Sequence, residues 1–118
     1  MALSKRHIGD RGEKVAAQFL IQNGYTVIEK NIVLNHGEID IVAMENGTLV
    51  FIEVKTRRSR KYGAPEEAVT PKKQELLRRT AEAYVEQKNL TNIECRFDVV
   101  SVTLINGKVE CQLFTNCF

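Results

Sequence analysis

No stretch of this chain approaches the roughly 20 consecutive apolar residues that a membrane-spanning helix needs, so no such span is expected. A secretory leader pattern is missing as well. Basic residues between Met1 and His7 are followed by Gly9, Asp10, Arg11, Gly12 and Glu13, where an apolar segment would have to begin. The cytoplasm is therefore the expected compartment. Cysteine is scarce: Cys95, Cys111 and Cys117 form no CxxC pair, and the two histidines, His7 and His36, lie far from them. Neither a zinc-ligand spacing nor a disulfide framework results, and the three thiols are expected to be reduced side chains packed as small hydrophobes. Internal repeats, low-complexity tracts and linkers are also lacking, so residues 1–118 read as one domain. A chain of that size buries roughly two-thirds of its unfolded surface without cross-links.

A strong excess of one charge is absent too, the net charge being +2, but the distribution is uneven. Between Lys55 and Arg79 nine Lys or Arg stand against three Glu, which leaves that segment at +6 and the remainder at −4. Arg57, Arg58, Arg60, Lys61, Lys72 and Lys73 are its candidate contacts to nucleic-acid phosphates. A solvated loop and helix face is the alternative use of the same charges.

What is present reads as alternating helices and strands. Val15, Ala16, Phe19 and Leu20 recur at helical spacing between Gly9 and Asn23, and Gly24 is placed to end that helix. Glu13 falls in its first or second turn. Tyr25 to Val33 is rich in β-branched residues and predicts a strand, followed by a turn at Asn35, His36 and Gly37. Two strand-like runs, Glu38 to Glu45 and Thr48 to Thr56, are separated only by Asn46 and Gly47, residues that tolerate the positive φ of a tight hairpin. The basic stretch from Arg57 to Ala64 reads as a loop. Thr70 is placed to cap a helix with Pro71 at its first position and Leu76, Leu77, Ala81, Tyr84 and Val85 along its apolar stripe. That helix is expected to end near Asn89. Cys95 to Ile105 and Lys108 to Phe114 complete a second hairpin around Asn106-Gly107. The order is α, β, β, β, α, β, β, an α/β (α+β) chain.

The two-residue turn allows the register of the central hairpin to be counted. Glu45 faces Thr48, so Asp40 faces Glu53 and Glu38 faces Lys55. Facing carboxylates about 4.5 to 5.5 Å apart at Cβ repel each other, and three things relieve that repulsion: solvent, a shared proton or a bound cation. The flanking runs Ile39, Ile41, Val42, Ala43 and Leu49, Val50, Phe51, Ile52, Val54 are apolar at nearly every position, as in strands covered on both faces. Water is then the weakest of the three. Carboxylate oxygens suit hard cations, which favours Mg²⁺ or Mn²⁺. Lys55 lies two residues beyond Glu53 on the same face, where its ammonium is placed to orient a water or stabilise developing phosphate charge. A plain salt bridge of Lys55 with Glu38 or Glu53 is the alternative. Asp98, inside the apolar run Phe97 to Val102, is expected to pair with Arg96 or with an arginine of the second helix.

Asp40 followed by Glu53-Val54-Lys55 resembles the PD-(D/E)XK nuclease superfamily, although Ile39 stands where that pattern's name has proline. Gly12-Glu13, Gly37-Glu38-Ile39-Asp40, the Glu53-to-Arg57 segment and Ala68-Val69-Thr70-Pro71-Lys72-Lys73 resemble the YraN-like uncharacterised family, itself similar to archaeal Holliday junction resolvases. The likeness runs from about Gly9 to Val102. It implies a restriction-endonuclease-like mixed sheet of four or five strands flanked by helices. It further implies Mg²⁺ or Mn²⁺ held by Asp40, Glu53 and Val54, with Lys55 catalytic, Glu13 supporting the site from the first helix and Gln74 placed as a polar active-site residue. The implied activity is hydrolysis of phosphodiester bonds in DNA, branched structures included, with DNA ahead of RNA. A homodimer is the implied assembly. The alternative is a non-catalytic nucleic-acid-binding module that retains the nuclease fold, and for Glu13 the alternative is a helix residue favoured by the macrodipole.

Overall fold

The computed structural model of the chain describes residues 5–35, 37–58 and 69–118, with α1 side chains from Arg11 onward. Its elements are α1 (Lys5–Gln22), β1 (Thr26–Leu34), β2 (Gly37–Glu45), β3 (Thr48–Arg57), α2 (Pro71–Gln87), β4 (Glu94–Ile105) and β5 (Lys108–Phe114). They form one five-stranded sheet in the order β1-β2-β3-β4-β5. Only β3 and β4 run parallel, because α2 lies between them in sequence and returns the chain to the same end. The other neighbours are antiparallel, so the sheet is mixed, as expected.

The two helices cover opposite faces. Ala16, Ala17 and Leu20 of α1, with Tyr25, pack on Ile41, Ala43, Val50, Ile52, Val100 and Val102. On the other face Leu77, Ala81 and Tyr84 of α2 pack on Ile39, Val42, Leu49, Phe51 and Val99. Burial from both sides is why β2 and β3 are nearly continuous apolar runs instead of alternating ones.

Local signals set most boundaries. Asn46 (φ 48°) and Gly47 (φ 80°) make the tight turn between β2 and β3. At the start of α2 the Thr70 hydroxyl accepts from the Lys73 N–H, and Pro71 occupies the first helical position, where a missing N–H costs nothing. The helix ends at Gln87, slightly before Asn89. The first helix departs further from expectation, since it begins at Lys5 and not near Gly9. Glycine inside a helix costs about 1 kcal/mol against alanine, but at Gly12 it serves close packing: a Cβ there would collide with the Thr56 hydroxyl of β3. Gly37 does the same on the other face, where a Cβ would meet the Thr80 hydroxyl of α2. The expected apolar stripe of α2 needs correction at Leu76, which is 40% exposed, and Cys95 is exposed where a packed thiol was expected. Cys111 and Cys117 do pack, one against each core.

Asp98 is fully buried and pairs with Arg96, as expected. Its Oδ1 accepts from Arg96 Nε at 2.9 Å and from the Asn116 N–H at 2.9 Å. Oδ2 accepts from the Tyr25 hydroxyl at 2.7 Å and from Arg96 Nη2 at 2.9 Å. The same guanidinium reaches Glu45 at 2.9 Å. Burial and the neighbouring Asp98 raise the Tyr25 hydroxyl pKa above its ordinary value. The network ties β4 to the segment entering β1 and to the C-terminal residues, where Phe118 stacks on Phe97 at 4.9 Å between centroids.

Candidate active site

The counted register holds from Glu45 and Thr48 to Ile41 and Ile52, where the β2–β3 ladder stops. Asp40–Glu53 and Glu38–Lys55 are therefore not ladder pairs, contrary to the sequence count. The reason lies in β2 itself. In an uninterrupted strand Ile39 and Ile41 would share a face, yet Ile39 packs with Val42 against α2 while Ile41 packs against α1. The alternation reverses at Asp40. On the neighbouring strand the matching position is Asn31, which takes a left-handed φ of 53° and is skipped between the pairs Lys30–Ile41 and Ile32–Ile39. Asparagine tolerates that conformation better than most residues, so both chains bend together. The opening leaves Asp40 beside β3, where its Oδ2 accepts from the Val54 N–H at 2.8 Å in place of a backbone carbonyl.

Glu53 and Lys55 project from β3 toward α2. Glu53 is only 8% exposed and its Oε1 carries two ammonium groups, Lys73 Nζ at 2.7 Å and Lys55 Nζ at 3.4 Å. The salt bridge read as one alternative for Lys55 is therefore present. A cavity of about 250 Å³ opens here, lined by Glu38, Asp40, Glu53, Lys73, Leu76 and Leu77. The exposure of Leu76 follows from its place on this wall.

Burial, and next the negative charge of Glu53, push Asp40 up to about 7; the Val54 N–H and Lys73 pull the other way, and Glu13 adds to the rise. Burial and the neighbouring Lys73 lower the pKa of Lys55 against the opposing pull of Glu53. For Lys73 burial also acts downward, but its bond to Glu53 and the charge of Asp40 raise it overall. The site thus holds a carboxylate that resists ionising and a lysine that sheds its proton more readily than usual.

The rise at Asp40 makes stability depend on pH. Between the ordinary carboxylate range and about 7 the folded state retains a proton that the unfolded chain has released. Stability is therefore highest below that window and declines as pH rises through it. In chelator, Asp40→Asn is expected to flatten this decline and to raise unfolding stability at pH 8 by about 1 to 4 kcal/mol, since a tenfold difference in proton affinity between the folded and unfolded states is worth about 1.4 kcal/mol. Thermal melts of both proteins at pH 5 and pH 8 measure it; parallel pH profiles would remove the assignment.

The residues present fit a divalent cation. Two desolvated carboxylates that repel each other supply hard oxygen donors, and the Val54 N–H donates to one of them. Among the described residues no group of three or more His, Cys, Asp or Glu is placed to hold a metal. Mg²⁺ and Mn²⁺ are usually held by one or two carboxylates plus waters and phosphate oxygens, and Asp40 and Glu53, which line one cavity, are two such carboxylates.

The remaining candidates are distributed as follows. Glu13 lies well inside α1, not in its first turns, so the macrodipole does not explain it; its charge is felt at Asp40. Gly12, packed on Thr56, brings α1 close enough for that. The Gln74 amide donates to the Val69 carbonyl at 2.9 Å and thus braces the turn before α2. Arg57 closes β3 half-buried, while Arg58 and Lys72 are exposed. Arg60 and Lys61 lie outside the described residues. Lys73 was expected at a phosphate; its ammonium lies on Glu53. Its sequence signal was the helix start itself, because Thr70-Pro71 sets which side chains of the first turn meet the sheet.

Residues 12–102 match the model of the Uncharacterised protein family UPF0102, and the chain belongs to that family. A UPF0102 protein of Symbiobacterium thermophilum is 46% identical over 114 residues, covering 96% of this chain and 97% of the relative. Another, from Caldicellulosiruptor saccharolyticus, is 43% identical over 118 residues, covering 98% and 100%. Among solved structures, that of SSO0001 aligns with a TM-score of 0.39 at 20% identity over 92% of this chain, which spans 50% of that one. No described helix is long and apolar enough to cross a membrane.

Proposed function

We propose that this protein is a Mg²⁺- or Mn²⁺-dependent endonuclease that hydrolyses phosphodiester bonds in DNA, branched structures included. The observation that carries the reading is the opening of β2 from β3 at Asp40, which leaves Asp40 and Glu53 on one cavity with Lys55 against Glu53. The resemblance of these three residues to the PD-(D/E)XK pattern supports it.

In this reading Asp40 and Glu53 hold the cation, and the Val54 N–H fixes the orientation of the Asp40 carboxylate. A bound cation would supply a water of lowered pKa and would polarise the phosphate. Lys55, partly desolvated beside Glu53, orients that water or donates to the developing phosphate charge. Leu76 and Leu77 give the cavity an apolar wall. Arg58 and Lys72 stand outside the cavity, exposed, as contacts to the flanking backbone. A homodimer would present two such centres for paired cuts.

The test is incubation of purified protein with Mn²⁺ or Mg²⁺ and linear, flapped and four-way DNAs. Cleavage is expected that Asp40→Asn lowers at least about a thousandfold, a scale set by losing both metal and activated water. No cleavage of any DNA, together with no metal uptake by calorimetry, would overturn the proposal. DNA binding indifferent to chelator and to Glu53→Gln would instead identify a binding module.

A further inference from the structure

We propose that Lys73 is a tethered counter-ion. In the metal-free protein its ammonium takes the cation's place on Glu53, and the arriving metal releases it to meet the phosphate. The inference rests on the reading of Asp40 and Glu53 as the metal ligands.

Two lysines converge on a single oxygen of Glu53, and they are not equivalent. Lys73 makes the shorter contact, 2.7 Å against 3.4 Å for Lys55. Lys55 is anchored on β3 inside the parallel ladder, paired with Ser101, only two residues from the carboxylate. Its ammonium has little room to leave. Lys73 reaches across from the first turn of α2, and its side chain is 39% exposed at the cavity wall. The backbone of that turn is held by Thr70, so only the flexible four-carbon stem has to move.

Its field reaches Asp40 as well as Glu53, so one monovalent charge partly neutralises the pair that a divalent ion would bind. Lys73 and a divalent ion compete for the Glu53 oxygen. At 2.7 Å the Lys73 ammonium takes the position a metal would occupy and would repel it strongly, whereas Lys55, at 3.4 Å, is the looser contact and stays alongside. Replacement is the consequence. Once displaced, Lys73, which lines the cavity and follows the exposed Lys72 in sequence, adds its charge where a phosphate would arrive. Metal entry thereby converts an internal ion pair into a substrate contact. Apo protein, with Glu53 occupied, holds DNA without this contact.

The experiment measures Mn²⁺ affinity without DNA by calorimetry for the wild type, Lys73→Met and Lys72→Met. Lys72 is exposed and makes no contact with Glu53 among the described residues, so its variant reports the general effect of losing one positive charge. Lys73→Met is expected to bind Mn²⁺ at least about tenfold more tightly, equivalent to about 1.4 kcal/mol, and Lys72→Met less than threefold. Equal gains in the two variants, or no gain for Lys73→Met, would overturn the proposal while leaving the metal site standing. Absence of Mn²⁺ binding in all three proteins would sink the metal reading itself.

A second readout is DNA affinity in Ca²⁺ or in chelator. Lys73→Met is expected to weaken binding, and to reduce the salt slope by about one, only when the metal is present. An equal loss in both conditions would show Lys73 to be a constant phosphate contact and would also overturn the proposal.

Discussion

Lys55→Met is expected to slow metal-dependent DNA cleavage by about a thousandfold or more while leaving Mn²⁺ affinity unchanged or slightly tighter. The ammonium lies 3.4 Å from Glu53 and carries no lone pair for a metal while it is protonated, so its loss removes no ligand. In the proposed reading, what it removes is a desolvated donor at the reacting phosphate. Loss of one such donor typically costs about 10² to 10³ in rate, and a proton-transfer role adds about 10² to 10⁴. Burial and Lys73 lower its pKa, which eases the loss of its proton. Lys55→Arg separates the two roles, because guanidinium keeps the charge and does not deprotonate. Single-turnover cleavage at saturating Mn²⁺ is the measurement. Activity within tenfold of wild type in Lys55→Met would remove Lys55 from the chemistry.

The second large effect falls on stability, away from the cavity. Asp98→Ala is expected to destabilise the fold by about 3 to 5 kcal/mol, the cost of breaking a buried ion pair by deleting one partner. Small domains have only about 5 to 15 kcal/mol in total. The variant leaves the Arg96 guanidinium, the Tyr25 hydroxyl and the Asn116 N–H without the oxygens they now share. Glu45 retains Arg96 only at the network's half-exposed edge. The double variant Asp98→Leu/Arg96→Met is expected to recover most of the loss, since no buried charge is then stranded. Urea unfolding of the three proteins tests this; a loss below about 1 kcal/mol for Asp98→Ala would show that the network contributes little.

Lys73 marks the limit of reading charges from sequence. It sits in a segment of +6, and a run of positive charge suggests an outward, phosphate-facing surface. Arg58 and Lys72 do lie outward, both exposed. Lys73 turns inward because the cap at Thr70 sets the phase of α2, and Leu77, Ala81 and Tyr84 fix which side of the helix lies on the sheet. One residue's difference in position thus separates a surface charge from an internal ion pair. Glu13 illustrates the same limit: its place at the site depends on Gly12 meeting Thr56, residues 44 positions apart whose contact no local pattern announces.

The elements, their order, and the register of the central hairpin from Glu45–Thr48 to Ile41–Ile52 were legible in the chain alone. These follow from short-range chemistry: positive φ at Asn46-Gly47, a hydroxyl cap at Thr70, proline at a position that needs no N–H, and apolar runs that demand cover on both faces. That the register ends one pair short of the two carboxylates was settled in three dimensions. The ending requires Asn31 on a different strand to bend with Asp40, and Ile39 and Ile41 to be drawn into opposite cores by α2 and α1. A two-residue turn specifies pairing only while both strands stay flat, and here packing from two sides bends one of them at Asp40.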